Sequence, residues 1–400
     1  MEKIIGIVGE YNPFHNGHQY HINETRRILG ENAPAVAVMS GDFVQRGENA
    51  VYSKFARAEA AVRSGIDLVI ELPLPWCLSS AEGFARGAVG LLGAMGATHL
   101  SFGSELGEIG PLDDLAQALL DPTITYRIKE KLKIDANMSF ARARQCVVEE
   151  KLGDTAALLE TPNNILGVEY IKAIYDQGLD ITPVTVGRMG SGHDREGADG
   201  MRSASEIRRM MLDGRPVTGE IPDTALRVYR RQEELGRCAA DIGALEQAIL
   251  SRLRMVPLSA FVMQSDGADG IGKRLYEAAR TESSLNGVLS GAKTRRYALS
   301  RLRRMAMCAV LGVKEGMNGG VPPYARVLAF NERGQRLLSS LKVSGAVPIL
   351  TKPASVRELG AECTRLFSLG ADAHDMYVLA YKAENERRGG EDWKTGPRIV

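Results

Sequence analysis

Cysteine is scarce in this chain, long apolar runs are missing, and net charge is almost absent. The five cysteines, at positions 77, 146, 238, 308 and 363, are each at least 50 residues from the next. No two form a C-x-x-C pair, which excludes a zinc ribbon and a disulfide framework. Such sparse thiols suit reduced packing residues in a cytoplasmic protein. No stretch approaches the ~18 apolar residues that a membrane-spanning helix requires. The N-terminal run before Glu10 also lacks a cleavable signal pattern. Internal repeats and low-complexity segments are absent. Fifty Lys plus Arg against 49 Asp plus Glu leave a formal charge of +1, which alone indicates neither a nucleic-acid nor a membrane partner.

That near-zero mean conceals two unlike halves. Residues 1–200 carry 18 basic and 27 acidic side chains, and residues 201–400 carry 32 and 22. A split of this kind marks a part that binds a polyanion. The rest of the composition, 44% apolar and 25% charged, is that of a soluble globular protein. Its 400 residues suggest two or three domains at roughly 100–200 residues each.

Over the first 190 residues, short apolar runs alternate with helical patterns. Predicted strands are residues 4–8, 35–39, 67–72, 98–102 and 181–186. The helical stretches between the first four end at Gly30, Gly65 and Gly96, where glycine can close a helix with positive φ. Nearly continuous apolar strands separated by helices predict a parallel sheet covered on both faces. The expected fold is a doubly wound α/β domain over residues 1–215, with a helical insertion near 106–160. Its ligand would sit beyond the carboxyl ends of the strands. Arg215-Pro216 and Ile221-Pro222 punctuate the chain, and residues 216–400 read as a mainly helical, basic domain with few strand signals.

The first strand-to-helix turn reads Gly9-Glu10-Tyr11-Asn12-Pro13-Phe14-His15-Asn16-Gly17-His18. A helix N-terminus offers N–H groups and a positive dipole end to phosphate. Imidazoles three residues apart share a helix face and can stabilise a developing oxyanion. Gly17 leaves room for a flat ring against the backbone. Taken alone, His15, His18 and His21 also admit metal binding or a plain surface role.

Six stretches in order narrow the reading. They are Glu10–His18, Met39–Glu48, Asp67–Pro73, Phe102–Glu105, Pro162–Gly167 and Ser203–Arg208. Together they resemble the nucleotidyltransferase superfamily that shares its fold with class I aminoacyl-tRNA synthetases. Within it, they are similar to the bacterial tRNA(Met) cytidine acetate ligase family, over most of residues 1–215 and more weakly beyond. The resemblance implies activation of acetate by ATP to acetyl-adenylate with release of pyrophosphate. Acetylation of N4 of wobble cytidine 34 of elongator tRNA(Met) would follow.

The resemblance also implies roles for individual residues. His15 and His18 would contact the α- and β-phosphates. The backbone from Ile7 through Val8, Gly9, Glu10, Tyr11, Asn12, Pro13, Phe14, His15, Asn16, Gly17, His18 and Gln19 to Tyr20 would wrap the nucleotide. Gly103, Asn163 and Arg188 would join it, and Ser205 with Arg208 would close over the β- and γ-phosphates. From local sequence alone, Gly103 is equally a turn glycine, Asn163 an N-cap, and Ser203-x-x-Glu206 a capping box. Arg46 and Lys54 are expected at the rim, where either would assist pyrophosphate departure or hold the tRNA; Asp42 is a weaker candidate base. Mg²⁺ is expected on ATP oxygens and water, with no protein ligand set.

Residues 251–350 hold 16 basic and 6 acidic side chains. Within them, Lys293, Arg295, Arg296, Arg301, Arg303 and Arg304 form a run without an acid. The run is either a solvated face or a surface that tracks phosphates by releasing counterions, with Tyr297 placed to stack on an unpaired base. Neither a membrane nor DNA is implied as a partner. Two alternatives stay open: a small-molecule adenylyltransferase or carboxylate–amine ligase of the same fold, and a non-catalytic ATP sensor that contacts RNA. The cationic second half counts against the first, and the paired His15 and His18 against the other.

Overall fold

The computed structural model describes residues 3–135, 138–187, 201–237, 240–264, 267, 270–344 and 346–400, without the side chains of 342–344. Arg188 lies outside the described residues. The strands are β1 (Ile5–Gly9), β2 (Ala35–Ser40), β3 (Phe43–Val44), β4 (Glu48–Asn49), β5 (Leu68–Leu72), β6 (His99–Ser104), β7 (Thr182–Gly187), β8 (Ala325–Phe330), β9 (Ile349–Leu350) and β10 (Arg398–Ile399). All five predicted strands are present, each within a residue or two of its expected bounds.

One sheet runs in the order β10-β8-β5-β2-β1-β6-β7, with β9 beside β8. From β5 to β7 every pairing is parallel. The alternation of β2 shows why both faces are covered. Val36 and Val38 enter one core, with Leu68, Ile70 and Leu100. Ala35, Ala37 and Met39 enter the other, with Ile5, Ile7 and Val69. A sheet buried on both sides has no polar face, hence the unbroken apolar runs. Progress along the chain reverses at β1: β2 and β5 lie on one side of it, β6 and β7 on the other. Such a reversal opens a crevice beyond the strand ends, where ligands of doubly wound folds bind.

Two helices frame that crevice. Helix α1 (Asn16–Leu29) follows β1, and α2 (Lys54–Arg63) follows the β3–β4 hairpin. Between β6 and β7 lie the helices Ile109–Leu120, Pro122–Ile134, Phe140–Leu152 and Pro162–Asp176. A separate helical core gathers Leu245, Leu253, Leu275, Val288, Leu302 and Tyr377, among others.

The second half departs from expectation in one respect: it adds three strands to the first half's sheet. β8 pairs antiparallel with β5, and β9 and β10 pair with β8. All six residues of β8 are buried, as in β2 and β5, but its run stands among helical patterns, and its partner β5 lies far away in sequence, with Arg326 255 positions from Glu71.

Beneath this junction lies a buried ion network. The Lys54 ammonium is 2.8 Å from Glu71 Oε1, 2.6 Å from Asp392 Oδ2 and 3.9 Å from Asp42 Oδ2. Arg326, on β8, reaches Glu71 at 3.0 Å and Asp392 at 2.9 Å. His374 Nδ1 is 2.8 Å from Asp42 Oδ2. Burial alone would lower the His374 pKa, but the Asp42 carboxylate beside it overrides this and holds it at about 10. Asp42 is driven the opposite way: burial would raise it, and His374 and Lys54 keep it low. Three cations therefore face three buried carboxylates, and a fourth, the half-buried Glu391, lies 3.5 Å from His374 Nε2.

Truncating one member strands a buried charge, so Arg326→Met should lower unfolding free energy by about 3–5 kcal/mol in denaturant melts. The pH dependence has a definite sign. Because the folded His374 pKa lies above its ordinary 6.5, its contribution is complete below that value and lost as pH climbs through about 10. The melting temperature should fall between pH 7 and 10, and His374→Gln should flatten the fall. Equal slopes in the two proteins would disprove the pairing.

Candidate active site

The turn after β1 is built to hold two imidazoles in one orientation. His15 is the N-cap of α1, and its Nδ1 accepts the Gly17 N–H at 3.0 Å. His18 returns the favour of a capping box, its Nδ1 accepting the His15 N–H at 3.2 Å. With both Nδ1 atoms acting as acceptors, each neutral ring carries its proton on Nε2. The ring centroids are 3.9 Å apart. Gly17 does leave room for a flat ring, and that ring is His15's own: a Cβ at 17 would meet its Cε1 at 2.8 Å.

The same caps revise the expectation of open N–H groups at this helix start. The Asn16 N–H donates to the Glu220 carbonyl at 3.0 Å, and the Gly17 N–H is taken by His15. The first two backbone donors of the helix are therefore engaged within the protein. Tyr11, at φ 47°, tucks its ring beside Phe14 and His18. The Phe14 N–H donates to Tyr229 Oη at 2.9 Å, and Asn12 Oδ1 accepts the Val51 N–H at 2.9 Å.

Residues distant in sequence close around this turn. Arg208 donates Nη1–H to the Asn12 carbonyl at 2.8 Å and Nη2–H to Ser205 Oγ at 3.0 Å. The capping box of Ser203 and Glu206 that starts its helix, Ala204–Leu212, is present. Gly103 pairs with Val186 near the end of β6, next to β1. Asn163 stands one residue inside its helix, whose N-cap is Thr161. Its Nδ2 donates to Glu105 Oε1 at 2.6 Å, while Glu105 Oε2 accepts the Asn164 N–H at 2.9 Å. Asn163 is thus aimed by Glu105 and does not cap the helix itself.

Several expected site residues sit elsewhere. Lys54 is 1% exposed and belongs to the ion network, not to the rim, because Asp42 caps its helix and Glu71 and Asp392 draw the ammonium inward. Asp42 is likewise committed, to the Lys54 N–H and to His374, and cannot serve as a base. Arg46, by contrast, is exposed on the hairpin, within range of the Glu10 charge. In the cationic run, Lys293 and Arg295 are exposed and Arg296 and Arg301 half-buried. Arg303 pairs with Glu48 at 2.5 Å, and Arg304 is buried. Tyr297 is also buried, with Arg301 4.7 Å from its ring centre, so it is not a stacking platform for a base.

The residue that sequence reasoning missed is Arg57. Fully buried on α2, it donates Nη1–H to the Glu10 carbonyl at 2.5 Å and the Ser40 carbonyl at 3.1 Å, and Nε–H to the Tyr52 carbonyl at 2.9 Å. Nη2–H also serves the Gly41 carbonyl. It thereby ties together the carboxyl ends of β1 and β2. The only sequence signal is an arginine set between two alanines on an alanine-rich helix.

The hairpin joins this crevice to the basic helix Leu299–Leu311. A Cβ on Gly47, whose φ is 74°, would come within 2.5 Å of the Arg304 backbone nitrogen. Only glycine permits that approach at positive φ. The Gly47 contact and the Glu48–Arg303 pair seat the cationic run against the loop that carries Gln45 and Arg46.

Comparison with known proteins agrees with this geometry. Residues 2–392 match the family described as HIGH Nucleotidyl Transferase. The tRNA(Met) cytidine acetate ligase of Syntrophomonas wolfei is 33% identical, over 98% of this chain and 99% of its own length. That of Caldanaerobacter subterraneus is 36% identical, over 95% and 96%. The crystal structure of Thermotoga maritima TmcAL bound with alpha-thio ATP superposes with a TM-score of 0.91 at 32% identity, covering 100% of this chain and 99% of that one. The chain belongs to the HIGH nucleotidyl transferase family, among the tRNA(Met) cytidine acetate ligases.

Proposed function

We propose that the protein activates acetate with ATP and transfers the acetyl group to N4 of cytidine 34 of elongator tRNA(Met). The observation that carries this reading is the pair of imidazoles at the head of α1, Nδ1 inward, beside Arg208 at the switch point of the sheet. Attack of an acetate oxygen on the α-phosphorus, with pyrophosphate leaving, needs charge neutralisation and in-line placement more than a protein nucleophile. His15 and His18 supply N–H donors for the α- and β-phosphates. Arg208 supplies a planar fork suited to phosphate oxygens, with Ser205 holding it. Gly103 and Asn163 border the nucleotide on the β6 side. Arg46, on the hairpin, is placed to meet pyrophosphate or RNA.

Mg²⁺ would add charge neutralisation on the triphosphate. Among the described residues no group of three His, Cys, Asp or Glu side chains is arranged to hold a metal ion, so its ligands in our reading are ATP oxygens and water. Among the described residues, too, no helix is long and apolar enough to cross a membrane. The RNA would approach along the exposed Lys293 and Arg295 toward the hairpin.

Incubation with ATP, labelled acetate and elongator tRNA(Met) should place acid-stable label on the wobble nucleoside; its absence would sink the proposal. His18→Ala should slow adenylate formation by about 10²–10³-fold, the usual cost of one charge-stabilising donor, with the melting temperature unchanged. Reversing Lys293 and Arg295 to Glu should weaken tRNA binding and reduce its salt slope by roughly 0.7 per lost phosphate contact. Adenylate formation without tRNA should persist, and equal loss of both would mark the segment as structural.

A further inference from the structure

We propose that Glu10 is the general base of acetyl transfer, its second carboxylate oxygen taking the proton from the attacking cytosine amine. This rests on the functional reading above. Glu10 is the first residue beyond β1, at the switch point itself. Its backbone carbonyl is held by Arg57 at 2.5 Å, and its Oε1 accepts the Gln45 N–H at 2.9 Å. The other oxygen has no hydrogen-bond partner among the described residues. A glutamate serving only as a brace would use both oxygens, as Glu105 does with Asn163 and Asn164.

Position supports the assignment. Arg208, which holds the Asn12 carbonyl in the turn that carries His15 and His18, is within range of the Glu10 charge. Gln45 belongs to the hairpin that docks on the cationic helix through Gly47 and Glu48. Glu10 therefore stands on the seam where an activated acetyl group and an incoming RNA base would meet.

The other acids nearby are already engaged. Asp42 and Glu71 are locked in the ion network, Glu48 pairs with Arg303, and the Nδ1 atoms of both histidines are used as caps. The charged groups facing Glu10 are Arg57 from α2, Arg208 from its helix and Arg46 from the hairpin. The Cys77 thiol and Tyr170 phenol also lie within range of its charge. Burial raises the Glu10 pKa and outweighs both the Gln45 hydrogen bond and the three arginines, which strengthens the carboxylate as a proton acceptor.

The step balances. The N4 lone pair attacks the acetyl carbonyl and forms the C–N bond. The bond from carbonyl carbon to the bridging phosphate oxygen breaks, AMP leaves with that electron pair, and the N4 proton passes to Glu10 and then to solvent.

The test is E10Q in the full chain, since glutamine can still accept the Gln45 N–H. Adenylate formation would be followed by acetate-dependent ATP–pyrophosphate exchange, and transfer by single turnover from bound acetyl-adenylate to tRNA. Transfer should fall about 100-fold, within the usual range for general-base catalysis, and at least tenfold more than exchange. The wild-type transfer rate should rise with pH through one ionisation that E10Q lacks and E10D retains. A proportional fall in both half-reactions, or the same ionisation in E10Q, would overturn the assignment. Failure of the wild-type chain to label tRNA would overturn the functional reading and this inference together, and is seen without any variant.

Discussion

Three cations and three carboxylates, almost wholly removed from water, lie where the two halves of the chain meet. Lys54, Asp42 and Glu71 come from the first half, and Arg326, His374 and Asp392 from the second. Each buried ion costs several kcal/mol in lost hydration, and only close pairing offsets this. The network therefore tolerates one arrangement: β8 against β5, Asp392 beneath the sheet edge, His374 against the loop after β2. The position of the second half relative to the crevice follows from it.

That placement explains how an acidic α/β half and a basic helical half form one working unit. Asp42 caps α2 with one oxygen and pairs with His374 through the other. Arg57, one turn further along α2, gathers the carbonyls of Glu10, Ser40, Gly41 and Tyr52. The network thus supports α2, and α2 supports the strand ends from which the turn with His15 and His18 departs. The Gly47 and Glu48 contacts then bring the cationic helix to the same loop. Phosphate chemistry in the crevice and polyanion recognition outside it share a single scaffold.

Much of the fold was legible in the sequence because local physics decided it. Five apolar runs of strand length, separated by helices closing at Gly30, Gly65 and Gly96, have few solutions other than a parallel sheet covered on both faces. The capping box at Ser203 and the imidazoles at 15 and 18 were legible for the same reason, since neighbours within four residues make those contacts. β8 was not, because its short run stands among helical patterns and the strand it pairs with lies in the other half of the chain, Arg326 being 255 positions from Glu71. Arg304 and Tyr297 were misplaced because a charge run announces its composition but not which members face inward.

Sequence alone thus determined the sheet-forming half, the turn after its first strand, the charge asymmetry and the family resemblance, all properties of short segments or ordered motifs. Tertiary structure alone decided that Lys54 and Asp42 are buried in ion pairs, that Arg57 binds the strand ends together, and that Glu10 stands between the nucleotide crevice and the basic helix. The reason is physical. A side chain's chemistry depends on its hydration and its partners, and for these residues the partners lie up to 338 positions away along the chain.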